Sequence, residues 1–293
     1  MKKKMTLNFK KCTFLAVLLC LLFSCSLPSS AASSDMKRLK TGKTYRVTMT
    51  GKGKQKLKLT TFSTANTRFL SIYINDEKMV TLPGAGDDPD YDTWEIALCR
   101  IAPGRRILYV RDKGPNDTCN YMKLFEYNSA TERFTELGDL VTLSKNHTMY
   151  EGPKLLSGWA RGHLEGVRDG RLIIEWQDVD MAFGTFFIDV PYEVTGQSVK
   201  QYGTSYKLKQ NSIAKTRWTS KVNITASTKP GGHNTSFTIS RREKVTAQKV
   251  RRKNGILYAR IKNSEGKTGW IHDLTQGNAI NIHGFFEESR FVG

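Results

Sequence analysis

Apolar and polar residues alternate along short runs in the N-terminal half of the chain, and this period of two constrains the fold more than any other feature. Such runs cover residues 45–50, 57–62, 69–74 and 79–82, each bounded by turn-forming residues. Successive side chains of a β-strand point to opposite faces of a sheet, so the alternation predicts half-buried strands. No window has the apolar spacing of an amphipathic helix. The sequence therefore predicts an all-β protein.

A pattern of four strands recurs in this part of the chain. A second set is predicted at 94–98, 106–110, 122–127 and 133–137, and a third set follows it. Units of about 50–65 residues with four short strands are typical of propeller blades or of a sheet-rich sandwich. We therefore expect residues 33–210 to form a β-rich domain of about three repeats, and both architectures stay open.

The C-terminal part of the chain contains two more alternating runs, at 243–250 and 256–262, joined by Asn254-Gly255. Asn-Gly between two such runs is the strongest short-range hairpin signal. A second turn leads to a closing strand that contains Gly269-Trp270. This order of strands resembles the bacterial SH3-like domain of exported cell-surface proteins, over about a fifth of the chain.

The resemblance implies a small barrel at residues 221–275, after a linker at 211–220 and before a tail at 276–293. It also implies attachment to the cell wall or to a peptide. In SH3-like barrels the aromatic residue of the closing strand often borders the ligand groove, which makes Trp270 and its neighbour Tyr258 candidate binding residues. The alternative is that both side chains fill the barrel core.

The turn after the first strand carries Thr48, Thr50, Gly51, Lys52 and Gly53. It is similar to the calcium loop of FG-GAP and VCBS-like repeats in secreted bacterial proteins, where aspartates alternate ahead of the glycines. Threonines and a lysine replace those aspartates here, and calcium needs several oxygen ligands, largely carboxylates. The resemblance therefore implies a loop that has kept its shape and lost its ion, and we expect no metal or other cofactor.

The densest acidic run raises the question of calcium again. Asp88, Asp90 and Asp92 have the one-three-five spacing of a calcium loop. Thr93 stands where the loop needs a glycine, and Cys99 stands where it needs the bidentate glutamate. We therefore interpret the run as a solvated turn.

The N-terminus has the three parts of a secretory signal peptide. A basic start is followed by an apolar run at 14–23 and by the small residues Ser30 and Ala32 before the expected cleavage. The apolar run is short for a membrane span. We therefore expect residues 1–32 to be removed from a secreted or wall-associated protein of a Gram-positive-type bacterium, with no membrane span left. Lipoprotein processing at Cys25 is the alternative.

Positive charge is concentrated in the C-terminal part of the chain. Residues 205–275 hold 16 lysines and arginines against 3 acidic residues, whereas residues 33–204 hold 24 against 22. Two cationic clusters, in or beside turns, are candidate contacts for a wall polyanion such as teichoic acid or peptidoglycan, although a merely solvated face would look the same. The clusters consist of Arg241, Arg242, Arg251, Arg252 and Lys253. Export, and the lack of interleaved basic and aromatic residues, argue against a nucleic-acid partner.

Two cysteines, Cys99 and Cys119, remain in the mature chain. An isolated pair in an oxidising location is typical of a disulfide. If residues 94–101, 106–112 and 119–127 form a meander, however, the two cysteines lie two strands apart, which exceeds the reach of a disulfide unless a strand end bends over. The sequence leaves a disulfide and two buried thiols equally open.

No catalytic motif is recognisable in the sequence: the five histidines are scattered and no Gly-x-Ser-x-Gly elbow occurs. The main hypothesis is therefore an exported, non-catalytic binding protein. The alternative is a divergent cell-wall hydrolase or glycosidase with its active site in the N-terminal β domain. Acid–base groups could come from 163–165 or 178–180, and carboxylates paired in a deep cleft would favour this alternative. The candidates are Glu165, Asp169, Glu175, Asp178 and Asp180.

Overall fold

Strands make up 66% of the computed structural model, with one short helix in the part that it describes, which confirms the all-β prediction. The structure describes residues 35–51, 53–65, 67–84, 94–114, 118–144, 160–180, 183–253, 256–272 and 284–290. Residues Met36–Gly293 form one compact unit, apart from Met1–Asp35. No helix among the described residues is long and apolar enough to cross a membrane.

The strands follow one another in chain order, with a single turn of helix after β10. They are β1 (Met36–Leu39), β2 (Lys43–Val47), β3 (Gln55–Ser63), β4 (Arg68–Ile74), β5 (Glu77–Pro83), β6 (Trp94–Ala102), β7 (Arg105–Asp112), β8 (Thr118–Cys119), β9 (Met122–Asn128), β10 (Arg133–Asp139), β11 (Ala160–Arg168), β12 (Arg171–Asp180), β13 (Gly184–Thr195), β14 (Ser198–Gln201), β15 (Tyr206–Lys209), β16 (Arg217–Thr219), β17 (Ile224–Ser227), β18 (Thr235–Ile239), β19 (Lys244–Lys253), β20 (Ile256–Lys262) and β21 (Thr268–His272). The helix, α1, covers Leu140–Leu143.

Three antiparallel sheets contain these strands. The first has four strands in the order β2-β3-β4-β5, and the second has five in the order β1-β6-β7-β9-β10. The third has twelve: β18-β17-β21-β20-β19-β15-β13-β12-β11-β8 in sequence, with β14 beside β13 and β16 beside β19. Most pairs of neighbouring strands, taken over the three sheets together, are consecutive in the chain, as expected for hairpin-rich sequences.

The five-stranded sheet is the middle layer of three, and its sequence shows why. Strands β6 and β7 are apolar on both faces, unlike the alternating strands β2 and β3. Leu98 and Leu108 belong to the core shared with the four-stranded sheet. Ala97 and Tyr109, which point the other way, belong to the core shared with the twelve-stranded sheet. A strand covered on both faces needs apolar residues at every position, and these layers correspond to the sandwich alternative.

The twelve-stranded sheet runs without a break from the predicted N-terminal domain into the predicted barrel. Strand β15 pairs with β13 through Ile188 and Leu208, and with β19 through Tyr206 and Val250. The predicted linker at 211–220 contains strand β16. One apolar core extends from the middle layer to β21, so the two predicted domains share a sheet and a core.

The C-terminal tail packs against this junction. Arg290 accepts a backbone hydrogen bond from Thr185 of β13 at 2.6 Å. The Glu288 carboxylate accepts hydrogen bonds from the backbone and the hydroxyl of Thr219 at 2.6 and 2.9 Å. Phe286 is fully buried and lies 4.7 Å from the Trp218 ring, centroid to centroid. The tail thereby links β13 of the predicted N-terminal domain to β16, which lies in the predicted linker and pairs with β19 of the predicted barrel.

Cys99 and Cys119 are buried thiols that form no disulfide in the part of the chain that the structure describes. Cys99 lies on β6 of the five-stranded sheet, whereas Cys119 lies on β8, which pairs with β11. The meander considered from the sequence therefore does not include β8. Burial raises the pKa of each thiol to about 12, and the positive charges of Arg38 and Arg111 only partly oppose that rise. Both thiols are accordingly neutral at pH 7.

Of the two stretches that resemble calcium loops, the structure describes only the first. At the first, the Arg106 guanidinium donates a hydrogen bond to the Thr48 carbonyl, and the Met49 backbone N–H donates to the Gln55 side chain at 2.9 Å. A side-chain cation thus contacts the loop that resembles a calcium loop. The acidic run at 87–92 lies outside the described residues.

Candidate functional site

The outer face of the twelve-stranded sheet carries the charged side chains. Along β12, β13 and β15 the apolar core contains every second residue, including Trp176, Ile188 and Leu208. The residues between them point away from this core. Glu175 and Lys207 are examples, and both reach solvent. This face is therefore the one available to a ligand.

Three cations stand in line across this face and end at a tryptophan. Lys207 of β15 pairs with Lys249 of β19, Lys249 with Arg260 of β20, and Arg260 with Trp270 of β21. We call these four residues the cationic row. Neighbouring strands lie about 4.8 Å apart, and like charges directly opposite one another destabilise a sheet. Folding alone therefore gives no reason for this alignment.

The cations of the cationic row have no carboxylate partner among the described residues. Arg260 donates to the Thr268 hydroxyl at 3.2 Å, and the Lys249 ammonium lies 5.8 Å from the centroid of the Trp270 ring. Neither contact neutralises a charge, although a cation close to the face of a tryptophan ring is attracted to it. The row thus presents three uncompensated positive charges next to an aromatic ring.

Trp270 keeps its position because β21 packs closely on β17. A Cβ added to Gly269 would lie 2.7 Å from the Ala226 side chain, so only glycine permits this approach. The Ser227 hydroxyl donates to the Trp270 carbonyl at 3.2 Å. Trp270 itself is half-buried on the outer face. The closing Gly-Trp strand therefore does hold an aromatic ring at the surface.

The other residues predicted to bind the ligand are distributed over the module. Tyr258 is 4% exposed and packs edge-on against His272, with 5.0 Å between ring centroids. Arg251 is half-buried and pairs with Tyr258 across the strands. Arg241 and Arg242 are exposed in the turn before β19, about 25 Å along the strand from Arg251.

Arg252 and Lys253 end strand β19, and their side chains lie outside the described residues. The structure thus brings Arg251 and Tyr258 next to the cationic row and separates Arg241 and Arg242 from it. The predicted residues form no single patch. Lys207, Lys249 and Arg260 were not singled out from the sequence, because their alignment depends on which strands pair and in what register.

A cleft of about 800 Å³ adjoins the cationic row. It lies over β13, β15 and β19, where the extra residue Gln248 forms a bulge in β19. Lys207 belongs to both the cleft and the row. The cleft is lined by Arg168, Ile173, Asp189, Pro191, Lys207, Leu208, Lys209, Gln210, Thr216, Thr246, Ala247 and Gln248.

In the lining of the cleft, Lys209 is surrounded by three carboxylates. Its ammonium lies 3.0 Å from Glu165 and 3.1 Å from Asp189, and it also contacts Glu175. The contact to Asp189 is an ion pair without hydrogen-bond geometry. Burial lowers the pKa of Lys209, but its contacts with the three carboxylates outweigh that effect and raise it. The Lys209 hydrogen bond in turn lowers the pKa of Glu165.

This cluster tests the carboxylates proposed for a hydrolase. Glu165 and Glu175 do come together, yet the lowered pKa of Glu165 is the opposite of what a general acid requires. Asp169 lies in the turn between β11 and β12, and Asp178 is buried on the other face of the sheet. The side chain of Asp180 is not among those described.

Comparisons with protein-family models, with curated protein sequences and with solved structures give no match. The function is therefore argued from the site itself.

Proposed function

We propose that the protein is an exported, non-catalytic binding protein that attaches to an anionic polymer of the cell wall. The observation that carries this proposal is the cationic row. Lys207, Lys249 and Arg260 are aligned across three strands, and none of them has a carboxylate partner among the residues that the structure describes. The positive charge of residues 205–275 favours an anionic partner. The signal peptide predicted at residues 1–32 would bring the protein to the cell surface, where such polymers occur.

An anionic polymer fits the row for electrostatic reasons. Closely spaced like charges repel each other, and a chain with repeated phosphates or carboxylates would remove that repulsion. Binding would also release counterions from the polymer, so the affinity would fall steeply as salt rises. Exposed charges are screened over about 8 Å at physiological ionic strength. Strong salt dependence is therefore the expected signature.

Trp270 gives the row a second kind of contact. The half-buried ring lies at its end, where an apolar part of a ligand could pack on it. Binding through the ring would tolerate salt, whereas binding through the three cations would not. The two contributions are therefore separable by experiment.

The experiment is sedimentation of the mature protein with purified sacculi, with and without teichoic acid, at low and raised salt. The test variant is Lys207→Gln/Lys249→Gln/Arg260→Gln. Its matched control is Arg241→Gln/Arg242→Gln/Lys244→Gln, which removes three exposed charges of the same module at the start of β19, away from the row. We expect the test variant to bind at least fivefold more weakly and the control to change by less than twofold.

Equal losses in both variants would mean that net charge, and not the row, drives binding. Binding that ignores salt and both variants would contradict the polyanion proposal and favour a peptide or sugar held at Trp270. No binding to sacculi of either kind would remove attachment to the wall as the function.

A further inference from the structure

His163, Glu165 and Glu175 bring three potential metal ligands to one place on the outer face of the sheet. His163 of β11 pairs directly with Glu175 of β12. Glu165 is the extra residue of a β-bulge between Leu164 and Gly166. A bulge re-aims the side chain that it carries, which here lies beside His163. One ligand atom from each of the three residues lies within 4.8 Å of the others.

The distances between these atoms match those between the ligands of one metal ion. Zinc lies about 2.0–2.2 Å from histidine nitrogen and carboxylate oxygen, so two ligands of a tetrahedral site are about 3.4 Å apart. The His163 Nε2 lies 3.3 Å from Glu165 Oε1 and 3.9 Å from Glu175 Oε1. These two separations are close to that edge length, all three ligand atoms lie within 4.8 Å of one another, and the side chains are supported by two paired strands.

Charge and hydrogen bonding around the cluster also suit a cation. Lys209 supplies one positive charge against the carboxylates of Glu165, Glu175 and Asp189, so the cluster keeps a negative excess. Lys209 binds Glu175 through Oε2, whereas Oε1 of the same carboxylate faces His163. Glu175 can therefore hold Lys209 with one oxygen and a metal ion with the other.

We propose that His163, Glu165 and Glu175 bind a divalent transition-metal ion of the zinc class. One imidazole nitrogen and two carboxylate oxygens suit this class, whereas Ca²⁺ and Mg²⁺ prefer ligand sets made of oxygen alone. The side chains of His163 and Glu165 are 36% and 38% exposed, so a metal ion can reach them from solvent. Water would then occupy the fourth coordination position of the ion. The site is separate from the residues of the cationic row.

Calorimetric titration of the untagged, chelator-treated mature protein with Zn²⁺ tests the proposal. We expect one ion per chain, no binding of Ca²⁺ or Mg²⁺ at the same concentrations, and at least tenfold weaker zinc binding by His163→Ala. His233→Ala is the matched control, because His233 is exposed in the turn between β17 and β18. It should bind like the parent. Circular dichroism establishes that both variants are folded.

A second variant, Lys209→Met, keeps the proposal testable even if His163→Ala is unstable. In the parent protein the Lys209 ammonium contacts Glu165 Oε1, the oxygen that would also bind the metal ion. Lys209→Met removes this competing cation, so zinc should bind at least threefold more tightly. The proposal is overturned if zinc does not bind stoichiometrically, if His163→Ala binds like the parent, or if Lys209→Met binds more weakly. None of these measurements depends on Lys207, Lys249 or Arg260, so the proposed binding to sacculi is tested separately.

Discussion

At the scale of single residues, the middle layer contains a charge that solvent barely reaches. The Arg111 side chain is 2% exposed, and its Nη1 lies 3.3 Å from Oε2 of Glu95, which is 12% exposed. Glu95 also binds Arg38, whose guanidinium donates to the Leu164 carbonyl at 2.7 Å. Arg38 therefore connects the five-stranded sheet to the twelve-stranded one.

We expect Glu95→Ala to lower the free energy of unfolding by about 3 kcal/mol, because it removes a carboxylate that faces a buried guanidinium. Urea denaturation followed by fluorescence measures this change. The control is Glu136→Ala, which breaks the exposed ion pair with Lys123 and should cost less than about 1 kcal/mol. Similar losses of unfolding free energy in both variants would mean that the buried pair of Arg111 and Glu95 stabilises the protein no more than an exposed ion pair does.

Cys99 and Cys119 are also buried, and the reactivity of their thiols measures this burial. Both pKa values are raised to about 12, so the thiols stay neutral and unreactive at pH 8. A maleimide should label neither cysteine in the native protein and both in denaturant, as counted by mass spectrometry. A denatured protein that takes no label and gains two mass units on reduction would instead contain the disulfide.

At the scale of elements, the closing strand depends on a close approach between backbones. Gly269 of β21 faces Ala226 of β17, and an added Cβ would also come within 3.1 Å of the Phe237 ring. Neither contact can relax unless the strand moves, because Ala226 and Phe237 are buried.

Gly269→Ala should therefore destabilise the protein by about 1–3 kcal/mol through overpacking. Gly166→Ala is the matched control, since an added Cβ there meets nothing within 4 Å. Chemical denaturation of both variants gives the comparison. If Gly166→Ala costs as much as Gly269→Ala, the loss comes from the backbone and not from the contact with Ala226.

At the scale of the whole molecule, one core connects what the sequence divides into two domains. Phe286 of the tail packs against Trp218 of β16 and Phe183, which precedes β13. Phe183 and Trp218 are themselves stacked, with 5.5 Å between centroids. Apolar contacts of this kind make neighbouring parts unfold together.

We expect calorimetry of residues 33–293 to show one unfolding transition. Phe286→Ala should lower the stability of that single transition by about 3 kcal/mol, because it opens a cavity at the junction. Phe62→Ala removes an exposed ring and should cost at most about 1 kcal/mol. Two separate transitions, with only one of them sensitive to Phe286→Ala, would restore independent domains.

Local pattern was sufficient to predict many of the longer strands, but not the short strands β1, β8, β14 and β16. Alternation placed strands near β3, β4, β19 and β20, since a strand's period of two is a property of neighbouring residues. The unbroken apolar run through Ala97 and Leu98 is typical of a strand that is covered on both faces. The run does not indicate which parts of the protein cover it.

The sequence by itself therefore determined the all-β class, the positive C-terminal part and the closing Gly-Trp strand. Only the tertiary structure decided that Lys207, Lys249 and Arg260 share one row and that His163 lies against Glu175. The physical reason is that a site on a sheet is assembled across strands, at right angles to the chain. Register, which brings distant residues side by side, depends on turns, bulges and packing of the whole sheet.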